Sequence, residues 1–250
     1  MIKLVNERLP TFSISEWMQI KIYLLVSFFV LAFTSILTVI DPNSFKRFIG
    51  TINPIILIFL LIIGGFVFLK FFLSRNWFEI YDIKEIKKQK FVYYLPILLA
   101  FIPILIDLTF RYPEATNVYF PQSLLFYPII GFVAEMMFHL IPIFLLLLIL
   151  SSMFKNLNIK QINWIIILTI SFIEPLYQTI WSPSYFPLGI TIYMVFHLYL
   201  FNAIELYAFK RHGFLAMYSV RLIYYLTWHI VWGYFRILIL FWNFLKYFFF

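Results

Sequence analysis

The run SLLFYPIIGFVAEMMFHLIPIFLLLLIL, residues 123–150, is predominantly apolar yet carries Glu135 and His139 near its middle. A helix needs about 20 apolar residues to cross roughly 30 Å of hydrocarbon, so this stretch is longer than one crossing requires. Pro128 and Pro142 predict that it is tilted or broken. Glu135 and His139 are four residues apart, which puts them on one helical face, one turn above the other. Counted from Leu124, Glu135 falls close to mid-membrane, where a charged group costs about 2.5–3.5 kcal/mol on insertion scales. Such groups persist when they face one another inside a bundle, so the fold and the function are both sought around this pair.

The chain as a whole is 64% apolar and 12% charged, with a mean hydropathy of +0.94. Soluble domains run at roughly 45–50% apolar and about 25% charged, so a water-soluble fold is not expected. With 33 Phe among 250 residues, most apolar surface must face lipid. The expected fold is an all-α, polytopic transmembrane bundle in a single domain over residues 1–250. Crossings are expected at about 19–40, 52–73, 91–110, 123–150, 162–181, 188–209 and 214–235, with the apolar tail from Ile237 to Phe250 as a possible eighth. Residues 75–90, RNWFEIYDIKEIKKQK, read as a basic amphipathic helix lying on an anionic leaflet, with a solvated charged loop as the alternative.

Basic residues are retained on the cytoplasmic side. With the N-terminus inside, Lys46, Arg47, Arg111 and Arg236 fall outside, and the cytoplasmic segments take most of the rest, from Lys3 and Arg8 through Lys84–Lys90 to Lys210 and Arg211. A cytoplasmic N-terminus in the plasma membrane, the cytoplasmic membrane of a prokaryote, is therefore expected. The net charge of +8 then follows from topology, and no nucleic-acid motif accompanies it. The opening MIKLVNERLPTFSISEW lacks the apolar core and small-residue site of a cleavable signal, so the first span is expected to stay. Zero cysteines exclude disulfides, thiolate metal sites and a cysteine nucleophile.

Four successive spans carry polar groups at depth. Glu174 and Gln178 repeat the four-residue spacing around Pro175, whose missing donor suits a cavity wall. On the next span, Asn202 and Glu205 share one side while His197 points roughly 140° away from Asn202. Glu205, near Lys210, reads as a salt-bridged interfacial residue, and His197 and Asn202 as further cavity candidates. Arg221 lies too deep to snorkel and stays charged, so it needs a carboxylate; Glu135 and Glu174 are the expected counter-ions. His229, among Trp228, Trp232 and Tyr234, reads as structural in an aromatic belt.

Between about Leu124 and Trp232 the order of these motifs resembles the CAAX protease and bacteriocin-processing (CPBP) family of intramembrane proteins. That family's first motif, Glu-Glu-x-x-x-Arg, is similar to Ala134-Glu135-Met136-Met137-Phe138-His139. Its second, Phe-x-x-x-His after Ser, is similar to Ser171 with Glu174-Pro175-Leu176-Tyr177-Gln178. Its third, a short basic loop with Gly and then His-x-x-x-Asn, is similar to LYAFKRHGFLAMYSVRLIYY, with Arg221 (Leu222 in a register one residue longer) at the His and Tyr225 near the Asn. The resemblance implies a water activated by the leading Glu and the second-motif His, and an oxyanion held by the third-motif His and Asn. Ala134, Gln178, Arg221 and Tyr225 stand at those positions and match none of them.

Two expectations follow. In one, altered chemistry survives: Glu135, with Glu174 or His139, is the base or a metal ligand, and Arg221 or Gln178 stabilises the oxyanion of a membrane-associated peptide or a prenylated-protein end. A divalent metal such as zinc, held through His139, is the cofactor this version allows. In the other, the polar groups hold helices together or bind a lipid, a peptide or a partner membrane subunit, without catalysis. A proton or ion path lacks the inverted repeats that would support it.

Overall fold

The computed structural model describes residues 14–75, 77–81, 91–113, 116–153, 159–181, 186–236 and 239. Among them, regular structure is helical throughout: α1 Ile14–Ile40, α2 Asn43–Ile49, α3 Pro54–Ser74, α4 Phe91–Phe110, α5 Ser123–Ala134, α6 Ile141–Met153, α7 Ile159–Ile170, α8 Ile173–Trp181, α9 Leu188–His212 and α10 Phe214–Tyr225. Five helical stretches are long and apolar enough to cross a membrane: Glu16–Ile40, Pro54–Ser74, Tyr93–Phe110, Ser123–Leu150 and Leu188–His212. The protein is thus a membrane-embedded, multi-pass helical bundle. Outward rows such as Leu24, Leu25, Phe28 and Phe29 on α1 are exposed and suited to lipid.

The deciding stretch is continuous but not uniformly α-helical. Glu135–Leu140 forms a π-helical turn between α5 and α6, and the Ile141 N–H bonds the Met136 carbonyl five residues back. Pro142 follows at once. It cannot donate, and its ring would crowd the carbonyl four residues earlier in an α-helix, so the wider turn relieves that contact. A second π-helical turn, Leu226–Trp232, extends α10, and the Asn117 side chain donates to the His229 carbonyl within it.

The expected crossing at 162–181 is instead two helices, α7 and α8, separated by a turn at Ser171–Phe172. Pro175 is the reason: after the turn it lies in the first turn of α8, where backbone donors have no intrahelical partner to lose. The Ser171 hydroxyl donates back to the Ile167 carbonyl (2.5 Å), closing the end of α7.

The interfacial helix expected over 75–90 is also corrected where it is described. Residues 77–81 are irregular, neither helix nor strand, and Phe78 and Ile80 are buried; residues 82–90 lie outside the described residues. Phe78 stacks on Phe209 with centroids 4.5 Å apart. The carbonyls of Glu79 and Ile80 accept from the N–H groups of Phe214 and Leu215, which satisfies donors at the start of α10. Gly213 makes that approach possible: its φ is 89°, and a Cβ there would lie 2.7 Å from the Ile80 carbonyl carbon.

Helix α10 is central, in contact with α9, α4 and α5, while α1 packs on α3 and α5. At the far end of α4, Asp107 makes a clasp. Its carboxylate accepts from the Tyr112 N–H (2.8 Å), the Trp232 indole (2.8 Å) and Arg236 Nε (2.7 Å), and Arg236 also donates to the carbonyls of Tyr112 and Pro113. Burial and the nearby Asp107 carboxylate push the Tyr112 phenol above its ordinary range.

Candidate functional site

Four helical segments deliver polar side chains to one buried point. The π-helical turn contributes Glu135 and His139, α8 contributes Glu174 from its first turn, α9 contributes Asn202 and Glu205, and α10 contributes Arg221. All are buried, at 0–4% exposure. Arg221 is the hub. Its Nε donates to Glu135 Oε1 (2.8 Å), its two terminal nitrogens form a fork on Glu174 (3.1 and 2.9 Å), and Nη2 reaches Glu205 Oε2 (2.6 Å) and Asn202 Oδ1 (3.3 Å). Nη1 also donates to the Tyr225 hydroxyl (3.2 Å). Six acceptor atoms thus face the five N–H groups of one planar guanidinium, and Nη2 shares its two hydrogens among three of them.

His139 is held from both sides. Nδ1 lies 2.6 Å from Glu135 Oε2, and Nε2 lies 3.0 Å from Asn202 Oδ1. The Asn202 amide is oriented by its own Nδ2, which donates to the Leu198 carbonyl (2.9 Å). Its oxygen therefore faces both His139 and Arg221. One atom of the centre stands apart: Glu205 Oε1 is buried and has no hydrogen-bond partner. Three carboxyl groups thus face one guanidinium, and both ring nitrogens of His139 face acceptor oxygens.

Arg221 finds both counter-ions that the sequence assigned to it, Glu135 and Glu174. Asn202, expected as a cavity candidate, belongs to the centre. Glu205 is the correction: it does not pair with Lys210, whose ammonium lies 5.2 Å from the Trp164 ring centroid, but turns inward to Arg221. Glu205 is three residues from Asn202, and that shared face was the signal that pointed to it. Gln178 sits at the margin, exposed, donating to Glu174 Oε1 (3.1 Å) without joining the buried group. His197 lies apart, with Nε2 3.1 Å from the Tyr224 hydroxyl. His229 stacks on Tyr127 with centroids 4.5 Å apart. Ala134 is buried and brings no carboxylate where the resembled family has its leading Glu.

A metal ion needs at least three donors, and Glu135, His139 and Glu205 each place one ligand atom within 4.8 Å of the others. No family model, no curated protein and no solved structure matches the chain.

Proposed function

We propose that the protein is a CPBP-like intramembrane peptidase of membrane-associated peptides or prenylated-protein ends, with seven or eight spans and a cytoplasmic N-terminus in the plasma membrane. The observation that carries this reading is the convergence of Glu135, His139, Glu174 and Arg221 on one buried point, in the chain order of that family's motifs. In this role Glu135, paired with His139, orients and deprotonates a water, and the Arg221 charge stabilises the oxyanion that forms at the scissile carbonyl. The α7–α8 pair and the α10 continuation through Leu226–Trp232 supply apolar passes beyond the five long helices.

A second reading is a non-catalytic membrane subunit or scaffold that keeps the same core. It is supported by Arg221, whose donors all rest on protein side chains within a fully buried group. The purified protein in lipid nanodiscs, incubated with prenylated and unprenylated membrane peptides, separates the two. Mass spectrometry is expected to find defined cleavage, reduced at least about 100-fold in Glu135→Gln and in Glu174→Gln. Equal cleavage by both variants would remove this centre from the reaction. A folded wild-type protein that cleaves no peptide would leave the scaffold reading.

A further inference from the structure

We infer that Asn202 is a positioning residue that keeps a hydrogen on both ring nitrogens of His139, and that His139 is thereby the acid that hands its Nδ1 hydrogen to the leaving nitrogen when a peptide bond is cut. The acid role rests on the peptidase reading, whereas the placement of the hydrogens does not.

Donors and acceptors decide the placement. An asparagine amide can turn either its oxygen or its NH2 toward a site, and two separate partners fix this one. Nδ2 donates to the Leu198 carbonyl one turn back on α9 (2.9 Å), and Oδ1 accepts from Arg221 Nη2 (3.3 Å). Arginine offers donors only, so the flipped amide would set NH2 against guanidinium and oxygen against carbonyl. Oδ1 therefore faces the centre. His139 Nε2 lies 3.0 Å from that oxygen, which can only accept, so Nε2 carries a hydrogen.

The other ring nitrogen, Nδ1, lies 2.6 Å from Glu135 Oε2, and a contact that short between two lone-pair atoms needs a hydrogen between them. Glu135 Oε1 meanwhile accepts from Arg221 Nε (2.8 Å). A carboxyl group that receives a donor at each oxygen is held as an acceptor, so this hydrogen belongs to the nitrogen. His139 and Glu135 are both at 0% exposure, so water does not compete for either contact.

This arrangement completes the proposed reaction. Water adds to the scissile carbonyl carbon and loses a proton to Glu135, which leaves a tetrahedral oxyanion facing Arg221. The carbon–nitrogen bond then breaks as the Nδ1 proton of His139 moves to the nitrogen, which departs as an amine. The proton now on Glu135 crosses to His139 Nδ1 along the 2.6 Å contact and restores the starting state. One water is consumed, and no other reactant is needed. Without Asn202 as acceptor, the imidazole would keep a single hydrogen, and the transferable one would be lost.

The test uses the full-length protein in nanodiscs, labelled with nitrogen-15 in its histidines and observed by NMR, with the His139 signals assigned by their loss in His139→Gln. At neutral pH, wild-type His139 is expected to show two N–H groups and the near-isosteric Asn202→Leu only one. A bare ring nitrogen on wild-type His139, a readout that depends on no variant folding, or two N–H groups in Asn202→Leu would overturn the hold by Asn202. The same samples are then given a membrane peptide and its nitrophenyl ester, whose leaving group departs without a proton. Peptide cleavage should fall at least about 100-fold in His139→Gln and at least about tenfold in Asn202→Leu, with ester cleavage falling at least about tenfold less in each. Equal losses on peptide and ester would overturn the acid role and leave the peptidase reading standing. A wild type that cleaves neither substrate would overturn the peptidase reading and the acid role together, while the N–H groups would still decide what Asn202 does.

Discussion

Arg221→Leu is expected to lower the stability of the bundle by about 3–5 kcal/mol, the largest loss from any single substitution in the chain. The leucine leaves Glu135, Glu174 and Glu205 buried from three different segments without the cation that all three touch at 2.6–2.9 Å. Their mutual repulsion then acts in a region where water does not screen it. Arg221→Lys should recover only a minor part, because an ammonium is a point charge and cannot hold the Glu174 fork and Glu135 at once. Thermal unfolding followed by size-exclusion fluorescence in detergent checks both. Wild-type melting in Arg221→Leu would mean that the three carboxylates are not in fact joined through this residue.

Asp107→Ala should produce the second large effect, a loss of about 3 kcal/mol, at a place unconnected with the polar centre. Its carboxylate ties the end of α4 to the far end of the α10 continuation by accepting from Trp232 and Arg236, and it also holds the Tyr112 backbone. Alanine removes the charged partner of a guanidinium that is 5% exposed. Asp107→Asn should cost less, because its amide oxygen still accepts from one of these donors. The same melting assay decides it, and equal melting of the alanine variant and the wild type would contradict the clasp.

Much of the bundle was legible in the sequence because apolar length and depth are one-dimensional signals. The first four crossings and the sixth emerge as helices, and Arg221 announced its partners because a charge that deep must be paired. Other features depend on where a helix stops being regular. The π-helical turn at Glu135–Leu140 inserts a residue without changing the apolar pattern, so only Pro142 hinted at it. The break at Ser171–Phe172 was half-visible in Pro175. The strap at residues 77–81 was misread because basic and apolar residues alternate in that region. Glu205 was misassigned by its nearness to Lys210, since a local pairing looked cheaper than a tertiary one. The three-residue step from Asn202 carried the correct information, but only the packing of α9 against α10 makes it decisive.

Arg221 is the shared counter-ion of the buried carboxylates, and a comparison of variants measures that directly. The triple variant Arg221→Leu/Glu174→Gln/Glu205→Gln is compared in melting with Arg221→Leu alone. Neutralising two stranded carboxylates should return at least about 1 kcal/mol of the stability lost with the arginine. A triple variant less stable than Arg221→Leu, with the losses simply adding, would show that the three groups act independently and would contradict the centre.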